Sequence, residues 1–336
     1  MEILSDSGRD LEKAAAALRA GLLVAFPTET VYGLGADAFN ISALARVFEA
    51  KNRPRFDPLI VHIAGYAALF RVVDTASLDA SAAERLSVLS KRLWPGPLTL
   101  ILPKRPALPS LATAGLATAA IRFPSHPVAQ KLISLSTGAV AAPSANPFGY
   151  LSPTRAEHVK AQLGEKVDFI IDGGRSQVGV ESTVLDLSHG PPRLLRPGGT
   201  PREAIEALIG PVELSDSPAS SQENNAAQLS PGQLKSHYAP RTALVLCGRG
   251  ELASFPDVPG EGRLYFSSPK NASDSALKRT RVLSKTGDPA EAAANLFDML
   301  HELDSLGLTL IRAEEAPYSG LGAAINDRLR RAEIIY

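Results

Sequence analysis

The sequence predicts an α/β protein in which helices flank a twisted open sheet, followed by a second and smaller α/β unit. Short apolar runs of strand length alternate with segments of helical spacing from Asp10 to Gly210. The stretch Ser215–Ser230 then becomes small, polar and free of periodicity, which is typical of a linker. Strand and helix patterns resume from Thr242 onward. These three observations predict two domains joined by a linker.

The predicted helices combine apolar residues at helical spacing with capping residues at their ends. Gly21 is well placed to stop the first helix, and either Ser42 or Asn40 caps the second. Thr200 is the predicted cap of a later helix, with Pro201 at its first position. The predicted helices are Asp10–Arg19, Ser42–Ala50, Leu78–Leu93, His126–Leu135, Thr154–Leu163, Pro201–Gly210, Pro289–Leu306 and the basic stretch Ala323–Ala332.

Buried strands are predicted where short apolar runs end at a proline, a glycine or a polar residue. They are Leu22–Phe26, Leu59–Ile63, Leu98–Leu102, Thr118–Arg122, Gly138–Ala142, Val167–Asp172, Val184–Leu187, Leu194–Arg196, Thr242–Leu246, Arg263–Ser267 and Thr309–Arg312. The stretch 27–38, reading PTETVYGLGADA, is predicted as a loop at a strand end. Its glycines permit close backbone approach, but their spacing matches neither the phosphate loop GxxxxGK[ST] nor GxGxxG.

The composition excludes several functional classes. The chain has 336 residues with 35 basic and 35 acidic side chains, so it has no net basic field for nucleic acid or for an anionic membrane surface. Its one cysteine, Cys247, cannot form an internal disulfide, and no cluster of histidine and cysteine predicts zinc. The amino terminus lacks the apolar stretch of a signal peptide, and no apolar run approaches the ~18 residues of a membrane span. We therefore expect a cytoplasmic protein with no membrane association, and the sequence identifies no metal-ligating residues.

Polar side chains follow the predicted strand Gly138–Ala142 in a stretch rich in proline. Ser144, Asn146 and Ser152 lie there, and Pro143 ends the strand. Ligands usually bind at strand ends in α/β sheets, and prolines hold such a loop in place before a ligand arrives. The chemistry is therefore expected on this loop, with a proline-rich surface turn as the alternative.

Cations stand at other predicted strand ends. Lys51, Arg53 and Arg55 precede the strand Leu59–Ile63, and Arg122 ends another strand. Arginine forks onto phosphate or carboxylate oxygens, while lysine supplies a mobile point charge. This pattern predicts several loops that converge on one cleft for a polyanion, and a solvated charged surface is the alternative.

Other polar residues leave a structural alternative open. Thr28 and Thr30 either contact a ligand or only hydrogen-bond within their own turn. His62 is alone on its strand, and a lone strand histidine is more often structural than functional. His237 and Tyr238, in SPGQLKSHYAPR, are too specific for a passive tether, so we expect that segment to fold over the cleft. The second unit shows no group of residues with evident chemistry.

Together these stretches resemble the YrdC-like family, and the two-domain layout resembles the long form of its threonylcarbamoyl-AMP synthases. The motifs that carry the resemblance are FPTETVYGLGADA, KNRPRFDPLIVH, WPGPLTLIL, ATAAIRFPSHP, APSANPFGYLSPT, DGG followed by GVESTV, LLRPG, SPGQLKSHYAPR and GLGAAINDRLRRA. The resemblance implies a twisted mixed open sheet in a catalytic domain over residues 1–212. It also implies a linker over 213–241 that covers the active site and a smaller Rossmann-like α/β domain over 242–336.

The resemblance further implies an activity and the residues that perform it. The family condenses L-threonine, bicarbonate and ATP, with Mg²⁺, into threonylcarbamoyl-adenylate and pyrophosphate for the threonylcarbamoyl adenosine modification of tRNA. The tRNA step belongs to downstream transfer proteins, and contact of this chain with tRNA is left open. The family's KxR…SxN signature falls on the expected catalytic residues Lys51, Arg53, Ser144 and Asn146. Threonine would be held by Thr30, His62, Arg122 and Ser182, and ATP by Arg53, Asp57, Thr118, Ser144, Ser152, Arg196 and Tyr238.

The sequence departs from the family's pattern at two positions. Asp57 stands where asparagine is usual, which leaves its contact with ATP open, and Phe148 replaces a small polar residue.

The reaction requires no covalent bond to the protein, so catalysis would rest on positioning and on cationic stabilisation of phosphate charge. Arg122 would pair with the threonine carboxylate.

Two other functions compete with this interpretation. An RNA-binding module without catalysis is disfavoured by the formal neutrality and by the absence of aromatic platforms in the sequence pattern. A carbamoyl-transferring enzyme of the hydrogenase-maturation type would carry zinc-finger and acylphosphatase segments, which this sequence does not contain.

Overall fold

The computed structural model describes residues 1–215, 237–269 and 277–333, which form two sheets with helices packed against them. The strands are β1 (Glu2–Leu4), β2 (Val24–Phe26), β3 (Gly33–Asp37), β4 (Ile60–Ile63), β5 (Leu98–Pro103), β6 (Thr118–Arg122), β7 (Ala139–Ala141), β8 (Phe169–Ile171), β9 (Thr183–Asp186), β10 (Arg193–Arg196), β11 (Glu213–Leu214), β12 (Ala243–Cys247), β13 (Glu261–Ser267), β14 (Thr280–Ser284) and β15 (Leu310–Glu314). The helices are α1 (Gly8–Arg19), α2 (Ile41–Lys51), α3 (Tyr66–Val72), α4 (Ala80–Leu93), α5 (Pro127–Leu135), α6 (Ala156–Leu163), α7 (Arg202–Ile209), α8 (Pro289–Asp304) and α9 (Gly322–Ala332).

The first sheet is large and mixed. Its strand order is β1-β8-β2-β3-β7-β4-β6-β5-β9-β10-β11. It contains both parallel pairs, such as β4 with β6, and antiparallel pairs, such as β5 with β6. The second sheet has the order β12-β15-β13-β14, and its pairs are all parallel. The predicted fold class is therefore confirmed.

The predicted loop over 27–38 is wrong in its second half, because Gly33–Asp37 forms strand β3. This strand pairs antiparallel with β2, and Gly35 lies opposite Val24. A Cβ atom on Gly35 would lie only 2.8 Å from the Phe26 ring and 3.0 Å from the Val140 side chain. The glycine thus serves close packing between strands, whereas the sequence pattern indicated a ligand-binding turn.

Other local predictions also need correction. Thr200 does not cap α7, because the helix begins at Arg202 with Pro201 at the cap position. The Thr200 carbonyl instead accepts a hydrogen bond of 2.5 Å from the Thr183 hydroxyl, which ties the turn to β9. The short strands β1, β11 and β14 and the helix α3 escaped the sequence analysis, since each is too short to show a clear period.

The carboxyl end of α2 shows how the chain delivers its cations. The Asn40 side chain accepts a hydrogen bond from the Ala43 amide, so of the two predicted caps Asn40 is the one used. The helix ends at Lys51, and Asn52 adopts the left-handed conformation with φ 52°. The chain therefore reverses directly after Lys51, and Arg53 follows on the far side of the turn.

The two units share an apolar core. Val31, Leu151 and Val180 from the first unit belong to the same buried cluster as Leu244 and Phe297 from the second. The domain boundaries at residues 212 and 241 stay a prediction, and most of the predicted linker lies outside the described residues. Across 1–215, 237–269 and 277–333, no helix has both the length and the apolar content to cross a membrane.

Candidate active site

Most of the predicted site residues surround one cavity in the first unit. Its empty space is about 520 Å³, part of which is open to solvent. The predicted residues that line it are Thr30, Arg53, His62, Arg122, Ser144, Ser182, Arg196 and Tyr238. They come from strand ends and loops that are far apart in sequence, as the convergence of loops on one cleft predicted.

Lys51 ties the end of α2 to the proline-rich loop. Its side chain is buried, and Nζ donates a hydrogen bond of 2.6 Å to the Ser144 carbonyl and another to the Asn146 carbonyl. Burial and the neighbouring Arg53 lower the pKa of Lys51 well below its usual range. The two halves of the KxR…SxN signature are thus joined through Lys51.

Arg53 is held in a fixed position beside this loop. Its guanidinium pairs with Asp57 at 2.9 Å and donates to the Pro58 carbonyl at 2.8 Å. Asp57 is fully buried and does not line the cavity, so its carboxylate contacts Arg53. The predicted contact of Asp57 with ATP stays a prediction.

Arg122 is equally fixed at the end of β6. One terminal nitrogen donates to the Thr30 hydroxyl at 2.8 Å, and the other pairs with Glu29 at 2.7 Å. The Thr30 hydroxyl also lies 2.8 Å from that of Thr28. Both threonines face the cavity, so their turn hydrogen bonding does not remove them from the site.

His62 lies beside Arg122, because β4 and β6 pair in register at these two residues. Its Nδ1 is 3.2 Å from the Ile60 carbonyl, and the Phe26 ring packs edge-on against the imidazole. A carbonyl can only accept, so Nδ1 carries the proton and Nε2 is left as an acceptor. Burial and the nearby Arg122 lower the pKa of His62 to about 3, so the imidazole is neutral at physiological pH.

Ser182 and Arg196 form another wall of the cavity. The Arg196 Nη2 donates to the Ser182 carbonyl at 2.9 Å. The Ser182 hydroxyl lies 2.7 Å from the hydroxyl of Thr99 on the neighbouring strand β5. These contacts fix the direction of the Ser182 hydroxyl.

Ser152 and Asn146 lie behind the lining residues. The Ser152 hydroxyl donates to Glu181, whose other carboxylate oxygen accepts from Arg328 at 2.8 Å. The Asn146 side-chain amide donates to the Pro147 and Tyr150 carbonyls. These two donations orient the amide, and among the described residues its buried Oδ1 has no hydrogen-bond partner.

His237 and Tyr238 close one side of the cavity. Tyr238 is buried and has a positive φ of 63°. The His237 ring packs edge-on against Phe148 with centroids 5.5 Å apart. Phe148, the departure from the family's pattern, therefore packs against the segment that was expected to fold over the cleft.

Thr118 is a predicted site residue that does not line the cavity. It begins β6, whereas Arg122 ends that strand inside the cavity. Its contact with ATP stays a prediction.

Three residues that bear on the site were not predicted from the sequence, namely Glu29, Glu181 and Arg328. Glu29 and Glu181 lie inside the motifs quoted above, where a carboxylate beside the predicted ligands was the available signal. Arg328 also lies inside a quoted motif, GLGAAINDRLRRA, but nothing near it in the sequence indicates its partner, because 147 positions separate it from Glu181.

The charge of the cavity favours an anionic ligand. Arg53, Arg122 and Arg196 line it, and among the described lining residues Glu181 is the one carboxylate. In the same described ranges, no three histidine, cysteine, aspartate or glutamate side chains cluster in a way that could hold a metal ion.

Two known families match consecutive parts of the chain. The family described as "Telomere recombination" matches residues 16–198, and the one described as "Threonylcarbamoyl-AMP synthase, C-terminal domain" matches residues 200–333. Together these matches cover both units.

Curated relatives match over nearly the full length. A protein from Bacillus subtilis named threonylcarbamoyl-AMP synthase is 43% identical over 335 residues, which are 98% of this chain and 94% of the relative. A protein of the same name from Pyrococcus abyssi is 42% identical over 330 residues, which are 95% of this chain and 92% of the relative. A crystal structure of P. abyssi Sua5 complexed with L-threonine superimposes with a TM-score of 0.88 at 40% identity, covering 99% of this chain and 97% of the other.

Proposed function

This chain belongs to the family of threonylcarbamoyl-AMP synthases in its long form with two domains, and we propose that the cavity joins L-threonine, bicarbonate and ATP into threonylcarbamoyl-adenylate and pyrophosphate. The observation that carries the proposal is the set of three arginines that line this cavity. The carboxylate of threonine, bicarbonate and the phosphates of ATP are the anionic groups that such fixed positive charge would bind.

Threonine is proposed to bind beside Arg122. The guanidinium of Arg122 is held by Thr30 and Glu29, so it presents a preorganised partner for the amino acid's carboxylate. Neutral His62, with Nε2 as an acceptor, suits a hydroxyl or amine donor and adds no charge against the amine. Ser182 would complete this end of the cavity.

ATP is proposed to bind between Arg53 and Arg196. The Ser144 loop lies against Arg53 because Lys51 anchors it. Fixed cationic side chains beside a backbone loop also hold the phosphates of ATP in other phosphoryl-transfer enzymes. Ser152 and Tyr238 lie on the same side of the cavity, where Ser152 reaches the wall through Glu181. We propose that these residues position the nucleotide.

The reaction then needs two bond-forming steps. The neutral amine of threonine attacks bicarbonate and releases water, which leaves a carbamate. A carbamate oxygen then attacks the α-phosphorus of ATP, and the bond from that phosphorus to the bridging oxygen breaks as pyrophosphate leaves. Lys51, Arg53, Ser144 and Asn146 are the proposed catalytic residues, and their part is to hold the reactants and to offset negative charge.

Mg²⁺ fits this site as a companion of ATP. Asn146 Oδ1 is a buried acceptor without a partner among the described residues, and such an oxygen suits Mg²⁺. Both Glu181 oxygens are taken by Ser152 and Arg328. Because Asn146 does not itself line the cavity, we propose that phosphate oxygens and water would hold the ion and that Asn146 Oδ1 would accept from one of those waters; the ion when bound would neutralise phosphate charge.

The decisive experiment measures pyrophosphate release by the purified protein. Release should require ATP, threonine and bicarbonate together, and mass spectrometry should detect the threonylcarbamoyl-adenylate. Changing Arg122→Met should raise the KM for threonine by about 10- to 100-fold, since a charged hydrogen bond contributes about 1.5–3 kcal/mol. The control Arg71→Met removes a surface arginine that donates to the Thr137 carbonyl. It should leave the KM for threonine and the KM for ATP unchanged. Pyrophosphate release that ignores threonine would contradict the proposal.

The placement of the cations does not favour the alternative of an RNA-binding module. Arg53, Arg122 and Arg196 are each buried inside the cavity, whereas an RNA surface needs accessible cations. Transfer of the product to downstream tRNA-modifying proteins is proposed from the family alone.

A further inference from the structure

Arg328 extends from the second unit to the wall of the cavity in the first. It belongs to α9, and its side chain is fully buried. Nε donates to a Glu181 oxygen at 2.8 Å, and one terminal nitrogen donates to the Pro197 carbonyl at 2.7 Å. Both partners belong to the first unit, so the contact crosses between the two units.

The contact continues from Glu181 to Ser152. The second Glu181 oxygen accepts the Ser152 hydroxyl, and the Glu181 carbonyl accepts the Gly199 amide at 2.9 Å. Ser152 is itself fully buried and has little freedom apart from this bond. The direction of the Ser152 hydroxyl therefore depends on where Arg328 holds the carboxylate.

The same guanidinium also supports Tyr238. Its carbon lies 5.2 Å from the centre of the Tyr238 ring, within the range of a cation–π contact. Tyr238 lines the cavity and is held in a left-handed backbone conformation, which is uncommon for an aromatic residue. One buried cation of the second unit thus touches two of the groups that face the proposed nucleotide.

We propose that Arg328 is a positioning residue of the active site, through which the second domain orients Ser152 and Tyr238 for the nucleotide. The proposal rests on the proposed function of the cavity. It assigns the second domain a part in substrate binding, beyond its packing against the first.

The electrostatics of Glu181 agree with this role. Burial opposes the charged form, but Arg328, Arg196 and the hydrogen bond from Ser152 outweigh it, so the pKa of Glu181 lies below its usual range. The other titratable or charged groups that face this cluster are Tyr238, Arg196 and Asp327, and Asp327 pairs with a terminal nitrogen of Arg328 at 2.7 Å. Without Arg328, burial would dominate, the pKa of Glu181 would rise, and a protonated carboxyl would no longer hold Ser152 in the same way.

The chain provides a matched control on the same helix. Arg330 also pairs with a carboxylate, Glu315 at 2.7 Å, and also lies over a tyrosine ring, Tyr318 at 5.2 Å. That cluster is on the surface and contains none of the residues that line the cavity. Arg328→Met and Arg330→Met therefore remove the same kind of contacts from the same helix.

The test compares ATP binding and kinetics of the full-length variants. Arg328→Met should raise the Kd and KM for ATP by about 10- to 100-fold, because small misplacements of positioning groups have effects of this size. The KM for threonine should change less, since Arg122 has no contact with this cluster. Arg328→Lys should recover part of the loss, because lysine keeps the charge near Glu181 but cannot also hold Pro197. Arg330→Met should match the unaltered protein.

The pH profile separates positioning from a loss of packing. In Arg328→Met, the acid limb of kcat/KM for ATP should move to higher pH, as Glu181 becomes protonated, and adding Glu181→Gln should abolish that shift. Unchanged ATP affinity in folded Arg328→Met, or in Arg328→Lys if the first variant does not fold, would overturn the inference alone. Absence of pyrophosphate release by the unaltered protein would instead overturn the proposed function, and absence of ATP binding would overturn both.

Discussion

The ion pair between Arg53 and Asp57 determines how much positive charge the cavity offers to a substrate. Asp57 is fully buried and faces Arg53 at 2.9 Å, while Lys51 adds a second cation close by. A buried pair of this kind is held together at a desolvation cost, and removing one partner leaves an uncompensated charge. An asparagine at position 57 would therefore remove a negative charge from beside Arg53.

Asp57→Asn should make the protein less stable without ATP and more responsive to ATP. The free energy of unfolding should fall by about 3 kcal/mol, because the charge of Arg53 loses its partner. ATP phosphates would restore a partner, so the rise in Tm on adding ATP should exceed that of the unaltered protein. Thermal unfolding with and without ATP measures both quantities.

A matched control for this prediction is Asp186→Asn. Asp186 is also buried and pairs with Arg193 at 3.4 Å, but neither residue lines the cavity. It should lose stability while keeping the ordinary ATP-induced rise in Tm. An equal ATP-induced rise in the Asp57 variant and the unaltered protein would show that the pair does not govern binding.

At the scale of elements, the segment 237–241 is tied to both units by its backbone. The His237 amide donates to the Arg331 carbonyl of α9, and the Ala239 amide donates to Gly149 in the proline-rich loop. Because His237 and Tyr238 line the cavity, a ligand there would contact this segment directly.

ATP and threonine together should slow hydrogen exchange at the His237 and Ala239 amides. With ligand at a hundred times its Kd, stabilisation of about 2.7 kcal/mol sets a limit of about 100-fold on the slowing. The Gly250 amide, which donates to Glu314 in the second unit, is a suitable control and should be unaffected. Equal exchange at Ala239 with and without ligands would argue against closure of this segment.

The helices with a clear apolar face were predicted well, whereas several short elements were missed. Helices such as α1 and α4 bury a clear apolar face, so their spacing is visible, whereas β1 and β11 are held by pairing with distant strands. The strand β3 was missed because its glycines, which allow Phe26 to pack over it, look like turn residues. Local pattern therefore misleads where tertiary packing selects the residue.

The site could be predicted to the extent that its residues lie in recognisable motifs. Thr30, Arg122 and Ser182 converge as expected, although only the tertiary structure shows that Glu29 fixes Arg122. The contact of Arg328 with Glu181 could not be inferred from the sequence, since the two residues meet through the packing of two separate units. Contacts between remote segments have no period or spacing from which to infer them.

At the scale of the molecule, the two units share one apolar cluster, and several histidines are buried. Apart from exposed His189, each of the histidines is at least partly buried, and His158 and His301 stack across the contact between the units with ring centres 4.0 Å apart. Burial lowers the pKa of His62 to about 3 and of His301 to about 4. Burial also lowers the pKa values of His126, His158 and His237.

Mild acid should therefore destabilise the whole protein before its carboxylates titrate. A histidine with a depressed pKa in the folded state binds its proton first in the unfolded state, near pH 6.5, so stability is lost as the pH falls below that value. Between pH 7.5 and 5.5, His62 and His301 should each remove about 1.4 kcal/mol from the free energy of unfolding. Urea unfolding at pH 7.5, 6.5 and 5.5 would measure this loss.

His301→Gln should reduce the slope of the unfolding free energy against pH by the equivalent of about one proton, although Asp298, Asp304 and His158 still face that position. The control His189→Gln should keep the original slope, and a His301 variant with an unaltered slope would mean that this imidazole is already protonated in the folded protein.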